Sequence, residues 1–451
     1  MSGTTAGELA ARLRALHQDA LPPAVIAATK DRIIDTLASG WAGGRAPEMQ
    51  GLLDSLLQEG GAPQATLWFF GGALPVRAAT FLNGALAASL EYDSLHEAAT
   101  VHADIVVVPA ALAAAEARHA SGAELISAVA LGTELICRLG LAADSTKGWF
   151  YTSIFGGFGA AAAVGLLLGL DTETLANALG IALSQAAGTQ QPHRERRLTK
   201  RLQSAFAAQA GVFSAQLAAA GITGPNDPFA GPYGLFALYE AGDARRALSG
   251  FGDQFVSLDT SFKKFPCCAC NHAAIDAAMQ MMAEHRIGGH DVESAEVRIT
   301  PYSNRLIGAP FDPGPNPQVT GQFSVQYAVA ATLMRGHFTL DDIEPEAVCD
   351  PAVGALARQI HVHVEPSWTE RLVPAELSIQ TRDGRALTQR VQVVPGGPAA
   401  PLGAAAVQRK IEDCFLGGPS PLPRPAFVTL QQRLAGLEHL DDMAQLFRGV
   451  I

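Results

Sequence analysis

The chain has 451 residues, more than one ordinary hydrophobic core holds, so two domains are expected. With 48% hydrophobic and 17% charged residues it is no disordered chain, and a net charge of −11 argues against a globally basic nucleic-acid binder. The six cysteines, at 137, 267, 268, 270, 349 and 414, form no disulfide framework, which fits a reducing, cytoplasmic compartment.

Met1 to Leu21 has neither a signal core nor a transit-peptide pattern. From there to about residue 265 the pattern is helical. Val25, Ile26, Ile33, Ile34 and Leu37 recur at helical spacing after Pro22-Pro23. Ser121 and Glu124 form a capping-box signature ahead of an apolar run to Leu141. Trp149 to Leu170 carries no charge, but its Gly and Ala spacing suits a buried helix in tight contact with others rather than a membrane span. Asp171 is placed to cap a Leu175–Ala187 helix. Breakers cluster from Gly221 to Pro232.

After about residue 266 the texture changes. Val292 to Thr300 and Ile360 to Glu365 alternate as strands do, and Leu377–Thr381 and Ala386–Val393 flank the turn Arg382-Asp383-Gly384-Arg385. Helical segments at 273–285 and 323–335 lie between them, and Pro395 to Pro401 reads as a linker before a helical tail at 404–449. The expected fold is mainly α with a smaller α+β domain. A large helical domain spans 1–265, with 404–451 packing back on it, and a small antiparallel-sheet domain spans 266–403.

Four segments carry chemistry. Asp93, His96, Glu97 and His102 crowd into one polar stretch, where a carboxylate and an imidazole suit acid–base work, metal ligation or a plain solvated loop. Cys267-Cys268-Ala269-Cys270-Asn271-His272 is not spaced as a zinc site, so structural thiols beside a functional His272 are expected. His193 to Arg201 is basic, and suits either a solvated face or a carboxylate-holding patch helped by a helix start near Ser204. Pro301-Tyr302-Ser303-Asn304-Arg305 follows a strand. There Tyr302 can donate a proton and Arg305 can clamp a carboxylate, or the stretch is a simple turn.

Taken in order, these segments resemble the MmgE/PrpD superfamily. The likeness runs through Phe155-Gly156-Gly157-Phe158-Gly159, Leu175-Ala176-Asn177-Ala178-Leu179-Gly180, Thr199-Lys200-Arg201-Leu202, Gly221-Ile222-Thr223-Gly224-Pro225 and Lys264-Phe265-Pro266-Cys267-Cys268 with His272. The resemblance implies a site in a cleft between the two domains, a homodimer, no metal and no organic cofactor. It implies a small citrate-like polycarboxylic acid as substrate, with no nucleic-acid or membrane partner. Carried over by position, Asp93, His102, Lys200, His272 and Tyr302 are the catalytic candidates. Arg305, Thr152, Tyr151, Phe150, His96 and Gln203 are the substrate-contacting ones. Two positions depart from the family pattern: Phe150 and Gln203 stand where histidines are common.

The mechanism so implied has His102, oriented by Asp93, as base, and Lys200 and Arg305 as carboxylate anchors. Tyr302 or His272 then returns the proton. A 2-methylcitrate-type or alkylcitrate dehydratase ranks first, a cis-aconitate-type decarboxylase second and an iminodisuccinate-type epimerase third. A catalytically impaired, carboxylate-binding paralogue is the alternative from another class.

Overall fold

The computed structural model describes residues 3–144 and 147–451. Helices Pro23–Gly43, Val76–Ser89, Asp104–Arg118, Gly122–Leu141, Tyr151–Leu167, Thr172–Leu183 and Thr199–Ala219 pack around one apolar core. Tyr151–Leu167 is its axis. Every residue of that helix is buried, and it packs against Gly122–Leu141, Asp104–Arg118 and Thr199–Ala219. Small residues allow this. A Cβ added at Gly159 would lie 2.5 Å from the Gly132 carbonyl oxygen, and one at Gly211 would lie 2.4 Å from the Ala160 Cβ. The helix backbones therefore touch, which accounts for the uncharged, glycine-rich stretch without a bilayer. Among the described residues no helix is long and apolar enough to cross a membrane.

The local signals act as read. Ser121 and Glu124 form the capping box, and the Asp171 side chain accepts from the Thr174 N–H. One start differs. The helix expected near Ser204 begins at Thr199, because no breaker separates the basic run from the Ala-rich segment. Lys200, Arg201 and Gln203 are thus fixed on its first turns.

Four strands form a mostly antiparallel sheet in the order Ile360–Val364, Val292–Ile299, Ala375–Thr381, Ala386–Val391. Val292, Ala295, Val297 and Ile299 point to the buried side, and His272–His285 packs against the two C-terminal strands. The Arg382–Arg385 turn joins those two strands, with Gly384 in the left-handed region at φ 89°. The expected all-antiparallel arrangement needs one correction. Ile360–Val364 pairs parallel to Val292–Ile299, because a long crossover containing helices Val325–Arg335 and Pro351–Gln359 returns the chain to the starting end of the sheet. Directly after Ile299, Thr300 caps a short helix, Pro301–Ile307, where a turn was the simpler reading.

Helix Ala404–Leu416 lies against Pro23–Gly43. Its Lys410 sits 2.6 Å from Asp35 and donates to the Tyr92 carbonyl at 2.7 Å. The tail thereby holds the loop that carries the first chemical segment.

Candidate active site

That loop runs between helices Val76–Ser89 and Asp104–Arg118. Glu91 and Thr100 both adopt left-handed backbone conformations, at φ 53° and 58°, which non-glycine residues rarely do. Buried polar groups hold it there. Asp104 accepts from Ser94 at 2.6 Å and Thr133 at 3.1 Å, and lies 3.5 Å from Arg32. At its end the His102 N–H donates to Thr152 at 2.9 Å. The His102 ring then lies with Nδ1 2.7 Å from Asp93 and 3.1 Å from the Ser94 carbonyl oxygen. Two acceptors at one nitrogen place the proton on Nδ1 and leave Nε2 available for chemistry.

Behind this dyad runs a chain of buried charges. Lys263 lies 3.4 Å from Asp93 and 3.2 Å from Glu91, and Glu91 also pairs with Lys200. Burial works against the Asp93 carboxylate, but Lys263 and His102 outweigh it and hold its pKa well below the usual range. Burial, and then the Lys263 ammonium, press the Lys200 pKa down. Glu91, set between the two amines, balances both.

His102, Glu91, Lys200 and Lys263 line a cavity of about 710 Å³. Phe150, Trp149, Leu306 and Phe323 give it an apolar side, and the Lys200 ammonium lies over the Phe150 and Phe323 rings at 5.7 and 5.3 Å. Lys147, Arg194, Arg305 and Arg371 also line it and are exposed. Among the described residues none of these four has an ion-pair partner, whereas the buried lysines do. Tyr302 lies between two of them, with guanidinium carbons 5.4 Å (Arg305) and 5.7 Å (Arg371) from its ring centre. Burial first, and then Cys270 and Cys268, raise the Tyr302 pKa, so the phenol keeps its proton at neutral pH.

The structure brings Asp93, His102, Lys200, Tyr302, Arg305, Phe150 and Tyr151 to this place, Asp93 from behind His102. Burial first raises Tyr151 to about 12. Thr152 stands behind the wall and fixes the His102 backbone. Three candidates lie elsewhere. His96 donates from Nε2 to the Val256 carbonyl at 3.0 Å and accepts the Ala99 N–H at 3.1 Å, so both nitrogens serve the loop itself. Gln203 is buried beside Ser153, which donates to its backbone carbonyl, and lines no part of the cavity.

His272 is the third. It is buried with Nε2 3.2 Å from the Phe265 carbonyl oxygen, faces the interior, and is pushed down to about 3 by burial and then Lys263. The segment thus inverts its expected roles: Cys268 and Cys270 line the cavity and His272 does not. The Cys270 thiol donates to Cys268, and with Lys263 and Lys200 nearby holds the Cys268 thiol below its usual range. Among the described residues no group of three or more His, Cys, Asp or Glu is arranged to hold a metal ion.

Sequence reading did not single out Glu91, Lys263, His193, Arg194 or Arg371 individually. Lys263 and Lys264 look alike in sequence, yet in an extended stretch neighbours face opposite ways. Lys263 points to the buried carboxylates, while Lys264 reaches Asp276 at 2.6 Å. The basic run divides likewise. His193, Arg194 and Lys200 face the cavity, whereas Arg201 turns away to Glu48 at 2.5 Å. Arg371 sits in a loop with no periodic signal.

Fold and cavity together define a helical protein whose imidazole–carboxylate dyad faces an anion-attracting pocket. Family models place it: the MmgE/PrpD N-terminal domain matches residues 7–247 and the MmgE/PrpD C-terminal domain matches 265–420. The chain belongs to the MmgE/PrpD family. It is 25% identical to a cis-aconitate decarboxylase of Aspergillus terreus, over 96% of this chain and 92% of that protein. It is 28% identical to the cis-aconitate decarboxylase-like protein oryM of Aspergillus oryzae, over 87% of each. To the cis-aconitate decarboxylase of Homo sapiens it is 27% identical, over 94% of this chain and 89% of that protein.

Proposed function

We propose that this chain is a lyase that removes CO2 from cis-aconitate or a closely related unsaturated tricarboxylic acid. The observation that carries the reading is the Asp93–His102 dyad facing a cavity edged by four cations that have no ion-pair partner among the described residues. Such cations suit a polyanion, since each can form a charge-assisted hydrogen bond with a carboxylate. The dehydratase ranked first on sequence gives way to the decarboxylase, because the relatives above carry that name.

The chemistry follows from the surroundings. Arg305 and Arg371 hold two carboxylates, and the third lies toward Phe150 and Phe323, where an apolar wall favours loss of charge. The C–C bond to that carboxylate breaks and CO2 departs. Its electron pair moves through the adjacent double bond, and His102, with Asp93 supporting the imidazolium, delivers one proton to the far carbon. Tyr302 donates a hydrogen bond to the carboxylate on which negative charge builds. No step calls for a metal or organic cofactor, so exhaustive chelation leaves turnover unchanged.

The test is incubation with cis-aconitate, 2-methylcitrate and iminodisuccinate in deuterated water, followed by NMR. Release of CO2 with one deuterium in the product is expected from cis-aconitate. Loss of water from 2-methylcitrate with no CO2 from any acid overturns the reading in favour of a dehydratase. Deuterium exchange alone points to an epimerase, and binding without exchange to a non-catalytic carboxylate binder.

A further inference from the structure

Phe150 and Gln203 remove two imidazoles that the family pattern commonly carries, yet a different histidine reaches the cavity. His193, in the short helix Gln191–Arg194, lines it. Its ring meets Phe323 edge-on, with centroids 4.3 Å apart. Its Nε2 is buried and has no hydrogen-bond partner. An interior nitrogen left in this state costs about 1–3 kcal/mol, and almost all buried polar groups avoid it. The ring forms part of the cavity wall, so what enters the cavity meets an imidazole that no carboxylate holds among the described residues.

We propose that His193 is the second imidazole of this active site, binding a proton when a polycarboxylate enters and donating a ring N–H as a hydrogen bond to a substrate carboxylate. Its role in turnover rests on the lyase reading; its role in carboxylate recognition does not. The proton comes from solvent and no substrate bond changes in this step. Burial, first, pushes His193 down to about 4. The nearby Leu306 backbone opposes that, while His102 and Arg196 add to it. Arg194 and Arg305 on the same walls are cationic as well. A bound polyanion reverses the balance, since an opposite charge close to an imidazole favours its protonated form. The arrangement thus couples binding to proton uptake and gives the site a donor that is charged only when substrate is present.

The test uses the full chain and propane-1,2,3-tricarboxylate, an unreactive tricarboxylate. Histidine side-chain NMR is expected to show His193 neutral at pH 6 in the free protein, with its midpoint rising by more than one pH unit on saturation. Calorimetry in two buffers of different ionisation heat is expected to show net proton uptake in the wild type and clearly less in His193→Phe, which keeps a ring against Phe323. Turnover of cis-aconitate is expected to fall at least tenfold in His193→Phe and to recover in part in His193→Gln, which retains a donor. An unmoved His193 midpoint, or equal proton uptake in wild type and His193→Phe, overturns the proposal. So does near-wild-type turnover in His193→Phe. If that variant fails to fold, the wild-type NMR shift and the His193→Gln kinetics decide. A protein that turns over none of the acids, yet shows the His193 shift, refutes the lyase reading and supports the binding role.

Discussion

On the buried wall of the cavity, Lys200 and Lys263 share Glu91, and Lys263 also pairs with Asp93; at its exposed rim, Lys147, Arg194, Arg305 and Arg371 pair with no carboxylate among the described residues. The cations are of similar kinds and differ in burial and in partners. A buried ammonium must be paired, so the wall lysines are held by carboxylates, and Lys263 among them braces Asp93 behind His102. A half-solvated guanidinium tolerates being alone, so the rim keeps its charge for an incoming anion. Lys200 lines the cavity but is already paired with Glu91, so the proposed function gives the substrate carboxylates to Arg305 and Arg371.

Four measurements break or sharpen that contrast. The largest effect is expected from Lys263→Met, which takes one of two partners from each of the buried Glu91 and Asp93 carboxylates. Unfolding free energy should fall by about 3–5 kcal/mol in urea titrations, the usual cost of unpairing a buried ion; a change below 1 kcal/mol would make the wall no different from the rim. Next, His102→Ala should lose roughly 10²-fold or more in turnover with its fold intact by circular dichroism. Near-wild-type rates would remove the dyad from the mechanism.

The third measurement concerns His272, whose folded pKa is depressed to about 3 from an ordinary 6.5. Between those values the unfolded chain binds one more proton than the folded one. Its contribution to stability is therefore complete above pH 6.5 and is lost as pH falls toward 3, at up to about 1.4 kcal/mol per pH unit. Urea midpoints from pH 7 to 5 should show this slope, reduced by close to one proton in His272→Asn; an unchanged slope would place His272 in contact with solvent. The smallest effect belongs to the rim. Arg371→Gln and Arg305→Gln should each raise KM about tenfold, with kcat and unfolding midpoint little altered, and added salt should shrink the difference. A stability loss as large as that of Lys263→Met would show the rim arginines to be structural.

Much of the fold was legible because it is local. The capping box at Ser121, the cap at Asp171 and the Arg382–Arg385 turn depend on residues a few positions apart, and each acts as its spacing suggests. The parallel strand pair was not, since nothing within Ile360–Val364 encodes which neighbour it meets after a long crossover. The site divides in the same way. Asp93 and His102 are nine positions apart on one loop and were readable together. Lys263 reaches that loop from 170 positions away, and a lone lysine beside another gives no sign of which one turns inward.

Residue types and near-neighbour spacing alone thus determined the helical character, the caps, the hairpin and the acid–base pair on its loop, because these follow from backbone geometry over a turn or two. Tertiary structure alone decided that Lys200 is neutralised by Glu91, that Cys268 rather than His272 faces the cavity, and that His193 and Arg371 belong to it. Burial and long-range pairing set the charge and reach of each side chain, and both exist only once distant segments have packed.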